Sequence, residues 1–110
     1  MDSTGRTEQV FMSNPHTAIE DFHVGHSSNL TIQVTSEMVD AFVGLSGDNA
    51  PLHTDKAVAK KHGFKDTLVH GALLIALLSR MVGTHFPGCS SLWSRLDIAF
   101  RQPCHAPCQL

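Results

Sequence analysis

The chain has 110 residues, room for one domain at most, with 42% apolar residues, no Tyr and a formal charge of -2. That near-neutral charge, without any Lys/Arg run, sets aside nucleic acid and anionic membrane as partners. The opening MDSTGRTEQV has no apolar core of a signal peptide, and the longest apolar run, Gly71 to Leu78, is too short to span a bilayer. Three cysteines, an odd and sparse set, read as reduced thiols and point to a cytoplasmic protein.

Residues 1–18 are polar and aperiodic and predict an irregular N-terminal arm; residues 19–110 then form the domain. IEDFHVGHSS is a turn-rich lead-in punctuated by Gly25. LTIQVT alternates, with Leu30, Ile32 and Val34 on one face, and predicts a half-buried strand. Thr35 or Ser36 caps a helix from Glu37 to about Leu45, with Met38, Val39, Phe42 and Val43 as its apolar stripe and Gly47 as its stop. Thr54 or Asp55 caps a second short helix, Lys56 to His62, stopped by Gly63. The main helix follows, from about Gly71 to Thr84. Leu73, Leu74, Ile75, Leu77, Leu78, Met81 and Val82 nearly encircle it, so it requires cover on every side. After the FPGCSS turn, LWSRLDIAFRQ alternates and predicts the longest strand, with Leu92, Leu96, Ile98 and Phe100 on one face and Trp93, Arg95, Asp97 and Arg101 on the other. Pro103 and Pro107 end that pattern, and PCHAPCQL reads as a disordered tail. The pattern is α+β, yet two strands cannot surround such a helix. Either the sheet is incomplete or another copy of the chain supplies the missing surface.

Two stretches carry chemistry. In LSGDNAPLH, Asp48 and His53 are five positions apart, about 140° around a helix and so not facing each other in one. Pro51 disfavours helix at Ala50, so the segment reads as a turn that can bring acid and imidazole onto one water, a workable acid–base pair. An ordinary polar turn fits the same spacing. In LVHGALL, Gly71 opens the apolar helix. A helix N-terminus offers unpaired N–H groups to an oxyanion, and a residue without a side chain lets a ligand approach; tight packing explains the glycine equally well. Cys104, His105 and Cys108 form one cluster without the second pair that a zinc site needs. The remaining histidines, His16, His23, His26, His62 and His85, read as solvated. Ser46 lacks the elbow of a serine nucleophile.

Taken together, FVGLSGDNAPLHTDKAVAKKHGF, LVHGALLIALLSRMVGTHFPG, the terminal FRQP and the upstream IEDFHVG resemble the MaoC-like (R)-specific enoyl-CoA hydratases, over about Ile19 to Pro103. The resemblance implies a hot-dog fold: an antiparallel sheet wrapped round one long apolar helix, working as a homodimer or larger assembly. It implies (R)-specific hydration of trans-2-enoyl thioesters of CoA or acyl carrier protein, or the reverse dehydration. On the family pattern Asp48 and His53 are the catalytic pair, Gly71 polarises the thioester carbonyl through its N–H, and Ser79 supports the site. No cofactor or metal enters this reading. The chain departs from the pattern at Ala50, where the family carries Asn, and after Pro103, where further strands are expected and CHAPC stands instead; this predicts a C-terminally truncated sheet. Two other readings stay open: a non-catalytic acyl-thioester-binding module with an incomplete sheet, and a hot-dog thioesterase, which the D-x-x-x-x-H turn disfavours.

Overall fold

A computed structural model describes residues 19–110; the predicted arm, residues 1–18, lies outside them. The described chain divides into two compact units, one built from Thr31–Ile75 with Ile98–Leu110, the other from residues 19–30 with Ala76–Asp97.

The first unit begins at β1 (Gln33–Val34) and continues through three helices, α1 (Ser36–Ser46), α2 (Pro51–Thr54) and α3 (Lys56–Lys61). The alternation in LTIQVT is realised, since Ile32 and Val34 are buried while Thr31 and Gln33 are exposed. Thr35 caps α1 by accepting the Met38 N–H at 3.2 Å, and Glu37 sits in the first turn. Gly47 closes the helix in the left-handed region (φ 76°), where its N–H reaches the Val43 carbonyl at 2.8 Å. Asp55 caps α3 by accepting from the Ala57 and Val58 N–H groups. α4 (Gly71–Arg80) starts in this unit and runs into the other.

Three expectations change here. LWSRLDIAFRQ forms no strand, and Leu92, Leu96, Ile98 and Phe100 are exposed. Alternation prepares a segment for a sheet, but a strand also needs a neighbour's backbone groups, and this segment finds none among the described residues. The second strand is instead β2 (Cys108–Gln109), in the tail expected to be disordered. It pairs antiparallel with β1 in the register Gln33↔Gln109 and Val34↔Cys108, extended by reciprocal bonds between Ile32 and Leu110. The tail is further held by the Val69 N–H on the Cys104 carbonyl (2.8 Å) and by His105 Nδ1–H on the Thr67 carbonyl (2.8 Å). Finally, α4 is not buried all round. Leu73 and Leu77 are buried, but Ala72 and Ala76 are exposed.

In the second unit α4 passes at Arg80 into one π-helical turn, Met81–His85, rather than continuing as α-helix to Thr84. The Phe86 N–H closes that turn on the Met81 carbonyl, and Thr84 Oγ1 donates back to the Arg80 carbonyl. Phe22, His26 and Phe86 form an aromatic cluster, with Phe22 and Phe86 at 5.4 Å and His23 stacked on His26 at 4.6 Å. His85 is half-buried and bonded to Ser28 Oγ, so the expectation that these histidines are simply solvated fails for His85, whereas His23 and His26 are exposed as expected.

Candidate active site

The predicted turn is two structures in succession. Asp48–Ala50 is a loop in which the Asp48 Oδ1 accepts the Ala50 N–H at 3.2 Å, a side chain closing on its own backbone two residues on. Pro51 then opens the helical turn α2 as its first residue, a place that suits proline's missing N–H, so His53 is helical rather than in a loop. Thr54 Oγ1 lies 3.3 Å from both the Asn49 and Ala50 carbonyls. The loop is therefore braced by Thr54 and by its own aspartate, although Ala50 stands where the family carries Asn.

This arrangement brings Asp48 and His53 together, with His53 Nε2 4.0 Å from Asp48 Oδ2; His53 is mostly buried and Asp48 half-exposed (18% and 51%). The other imidazole nitrogen, Nδ1, lies 2.8 Å from the Leu68 carbonyl. A carbonyl only accepts, so Nδ1 carries the hydrogen and the neutral ring turns a bare Nε2 towards the carboxylate. A gap of 4.0 Å is too long for a direct hydrogen bond and short enough for one water to bridge.

His70, given no role in the sequence reading, completes the arrangement. It is the most buried polar residue described, 1% exposed. Its Nε2–H donates to the Asp48 backbone carbonyl at 2.9 Å, and its ring stacks on His53 with centroids 3.7 Å apart and planes 21° apart. Phe42 meets it edge-on at 4.9 Å, and its Nδ1 is buried with no hydrogen-bond partner. The sequence signal was available: one imidazole in an otherwise apolar approach to a helix must find a partner inside. Asp48, His53 and His70 offer ligand atoms within 4.8 Å of one another. They do not suit one metal ion. The two rings are stacked in nearly parallel planes, so an ion in the plane of one ring at bonding distance lies well out of the plane of the other.

A cavity of about 390 Å³ adjoins His53, walled by Leu68, Gly71, Leu74, Phe100 and Cys104 among others. Its volume suits a small acyl group. Gly71 stands at the N-terminus of α4, where helical N–H groups have no intrahelical partner, and the Phe100 ring packs against it. A Cβ at residue 71 would lie 2.9 Å from Phe100 Cζ. Of the two readings of this glycine, close packing is thus directly observed. Phe100 is itself 54% exposed. Ser79 is exposed on α4 within the second unit. Burial and the neighbouring Cys108 sulfur push the Cys104 thiol up to about 11.

Residues 22–103 match the model of the MaoC-like domain family, and the chain belongs to that family. It is 34% identical over 84 residues to the (R)-specific enoyl-CoA hydratase of Aeromonas caviae, covering 76% of this chain and 63% of that protein. It is 36% identical over 80 residues to the mitochondrial 3-hydroxyacyl-[acyl-carrier-protein] dehydratase of Arabidopsis thaliana, covering 73% and 47% of the two chains. Among solved structures, the (R)-hydratase of A. caviae involved in PHA biosynthesis superposes with a TM-score of 0.75 at 32% identity, over 82% of this chain and 68% of that one. The unliganded R-hydratase of Pseudomonas aeruginosa gives 0.74 at 28% identity, over 82% and 58%. The fold is accordingly the α+β hot-dog fold of those hydratases, and the chain spans about half to two thirds of the length of the curated relatives it matches.

Proposed function

We propose that the chain hydrates trans-2-enoyl thioesters to (R)-3-hydroxyacyl thioesters, or carries out the reverse dehydration, with Asp48 and His53 as the acid–base pair. One observation carries this reading: the Leu68 carbonyl fixes the His53 tautomer, so a bare Nε2 faces Asp48 across a water-sized gap beside an apolar cavity. In the forward direction a water in the gap attacks C3 of the enoyl group while His53 Nε2 removes its proton. Asp48 in its acid form delivers a proton to C2 from the same side. The proton taken by His53 then passes to Asp48, so the pair returns to its starting state and one water has been added. The charge that builds on the thioester oxygen is met by the Gly71 N–H at the positive end of α4, once Phe100 turns aside. Ser79 enters only through the family pattern.

The substrate class follows from the relatives, whose names specify enoyl-CoA in one case and a 3-hydroxyacyl group on acyl carrier protein in the other. Homodimeric or larger assembly accords with the exposed apolar side chains of the 92–102 segment. Among the described residues no helix is long and apolar enough to cross a membrane; the cytoplasmic reading rests on the sequence, with its odd, sparse set of three cysteines. The test is hydration of crotonyl-CoA, followed by loss of the enoyl absorbance, with the product's configuration read on a chiral column. An (R)-3-hydroxybutyryl product supports the reading; an (S) product, or thioester hydrolysis, ends it. The packing of Phe100 on Gly71 favours one second reading, a module that binds acyl thioesters without turning them over. Saturable crotonyl-CoA binding by calorimetry, with no product formed, selects that one.

A further inference from the structure

The two tail cysteines do not belong to the acid–base site, yet the fold brings them together. The Cys104 and Cys108 sulfurs lie 2.6 Å apart, closer than two unbonded thiols elsewhere in a protein need come. Each is anchored independently. Cys104 offers its carbonyl to the Val69 N–H, two residues before Gly71, and its side chain lines the cavity beside His53. Cys108 is paired with Val34 across the only sheet among the described residues. His105, between them, is tied to Thr67. The backbone on both sides is thus held by hydrogen bonds that do not depend on the sulfurs.

We propose that Cys104 and Cys108 are a redox-responsive dithiol, closed by a small disulfide oxidant such as oxidised glutathione into an intramolecular disulfide that fixes the tail to β1 and to the segment leading into Gly71. The exchange balances. The Cys108 thiol loses its proton and attacks one sulfur of the oxidant, breaking its S–S bond, releasing one glutathione and leaving a mixed disulfide. Cys104 then loses its proton, attacks the protein-bound sulfur and expels the second glutathione. Two electrons and two protons pass from the cysteines to the oxidant, which leaves as two thiols. The order follows from Cys104, which burial and the adjacent sulfur keep protonated near neutrality until Cys108 has reacted. A pair of this kind in a reducing compartment senses oxidation rather than serving as a permanent brace. The proposal does not rest on the hydratase reading.

The test uses the full chain in a Cys89→Ser background, which removes the third cysteine, with excess oxidised glutathione as probe. Trypsin releases Gln102–Leu110, which carries both cysteines. The synthetic peptide of that sequence, treated in parallel, is the unfolded reference. The expected result is a chain-derived peptide lighter by two hydrogens and restored by dithiothreitol. Its ratio of internal disulfide to glutathione adduct should exceed that of the free peptide by at least about tenfold, since the fold raises the effective concentration of one thiol at the other. The melting temperature should rise on oxidation in this chain and not in the additional Cys104→Ser variant. Equal ratios in chain and peptide, or a chain that takes up glutathione at both cysteines, overturns the proposal, and a chain that does not fold counts with the equal ratio.

Discussion

At the residue scale the proposed site is three side chains, and they differ in how visible they are in the sequence. Asp48→Asn and His53→Ala should each lower crotonyl-CoA hydration by at least about 100-fold, the usual weight of one acid–base group, with melting temperature little changed. Near-full activity in either variant would remove it from the mechanism. These two stood out because the family resemblance fixes their spacing; the structure brings them to 4.0 Å, with Pro51 opening a helical turn that carries His53 rather than the expected loop. His70 was not, because its partners are a backbone carbonyl 22 positions away and a ring brought in by tertiary packing. It touches no reacting atom in the proposed mechanism and acts as a positioning residue. His70→Leu leaves the Asp48 carbonyl without its donor and should cost about 1–3 kcal/mol in urea unfolding. It should also lower kcat with KM nearly constant. His70→Gln, which can again donate to that carbonyl, should recover part of kcat; equal losses in both variants would mean that the ring only fills space.

Among the elements, the helices were read closely and the strands were not. The physical reason is range. Helix ends are set by residues three or four positions apart, so Thr35, Gly47, Asp55 and Gly63 announce themselves. Thr35→Ala should cost about 1 kcal/mol of stability, the ordinary weight of a cap, measured as a lower urea midpoint at constant slope. A strand is defined by its partner. The alternating 92–102 segment has the side chains of a strand but no ladder, whereas CQ in the tail has a ladder and no alternation to reveal it. Two prolines made that tail look unstructured, although Pro103 and Pro107 both precede the paired residues rather than interrupt them. The apolar girdle of α4 was read correctly as composition and overstated as burial, because the cover it calls for depends on sheet that the described residues do not form.

For the whole molecule, the consequence is exposed surface. Leu92 is 93% exposed, and Leu96, Ile98 and Phe100 remain 41–54% exposed on a segment with unpaired backbone groups. Segments of this kind join sheets of other chains. Self-association should therefore appear in sedimentation velocity at micromolar concentration and weaken in a Leu92→Lys, Ile98→Lys double variant; a compact monomer in both would remove the argument. The β1–β2 pairing has a kinetic meaning as well. Val34 meets Cys108 across roughly 75 residues of intervening chain, and closing such a loop is an entropic cost that no neighbouring hairpin offsets. The capped helices can form on their own within microseconds, but the ladder must wait until the ends of this long excursion meet. While the chain is being synthesised, Val34 emerges long before its partner exists, so β1 must spend that interval as an open edge. The residues that close it, Cys108 to Leu110, are made only after every helix of the domain.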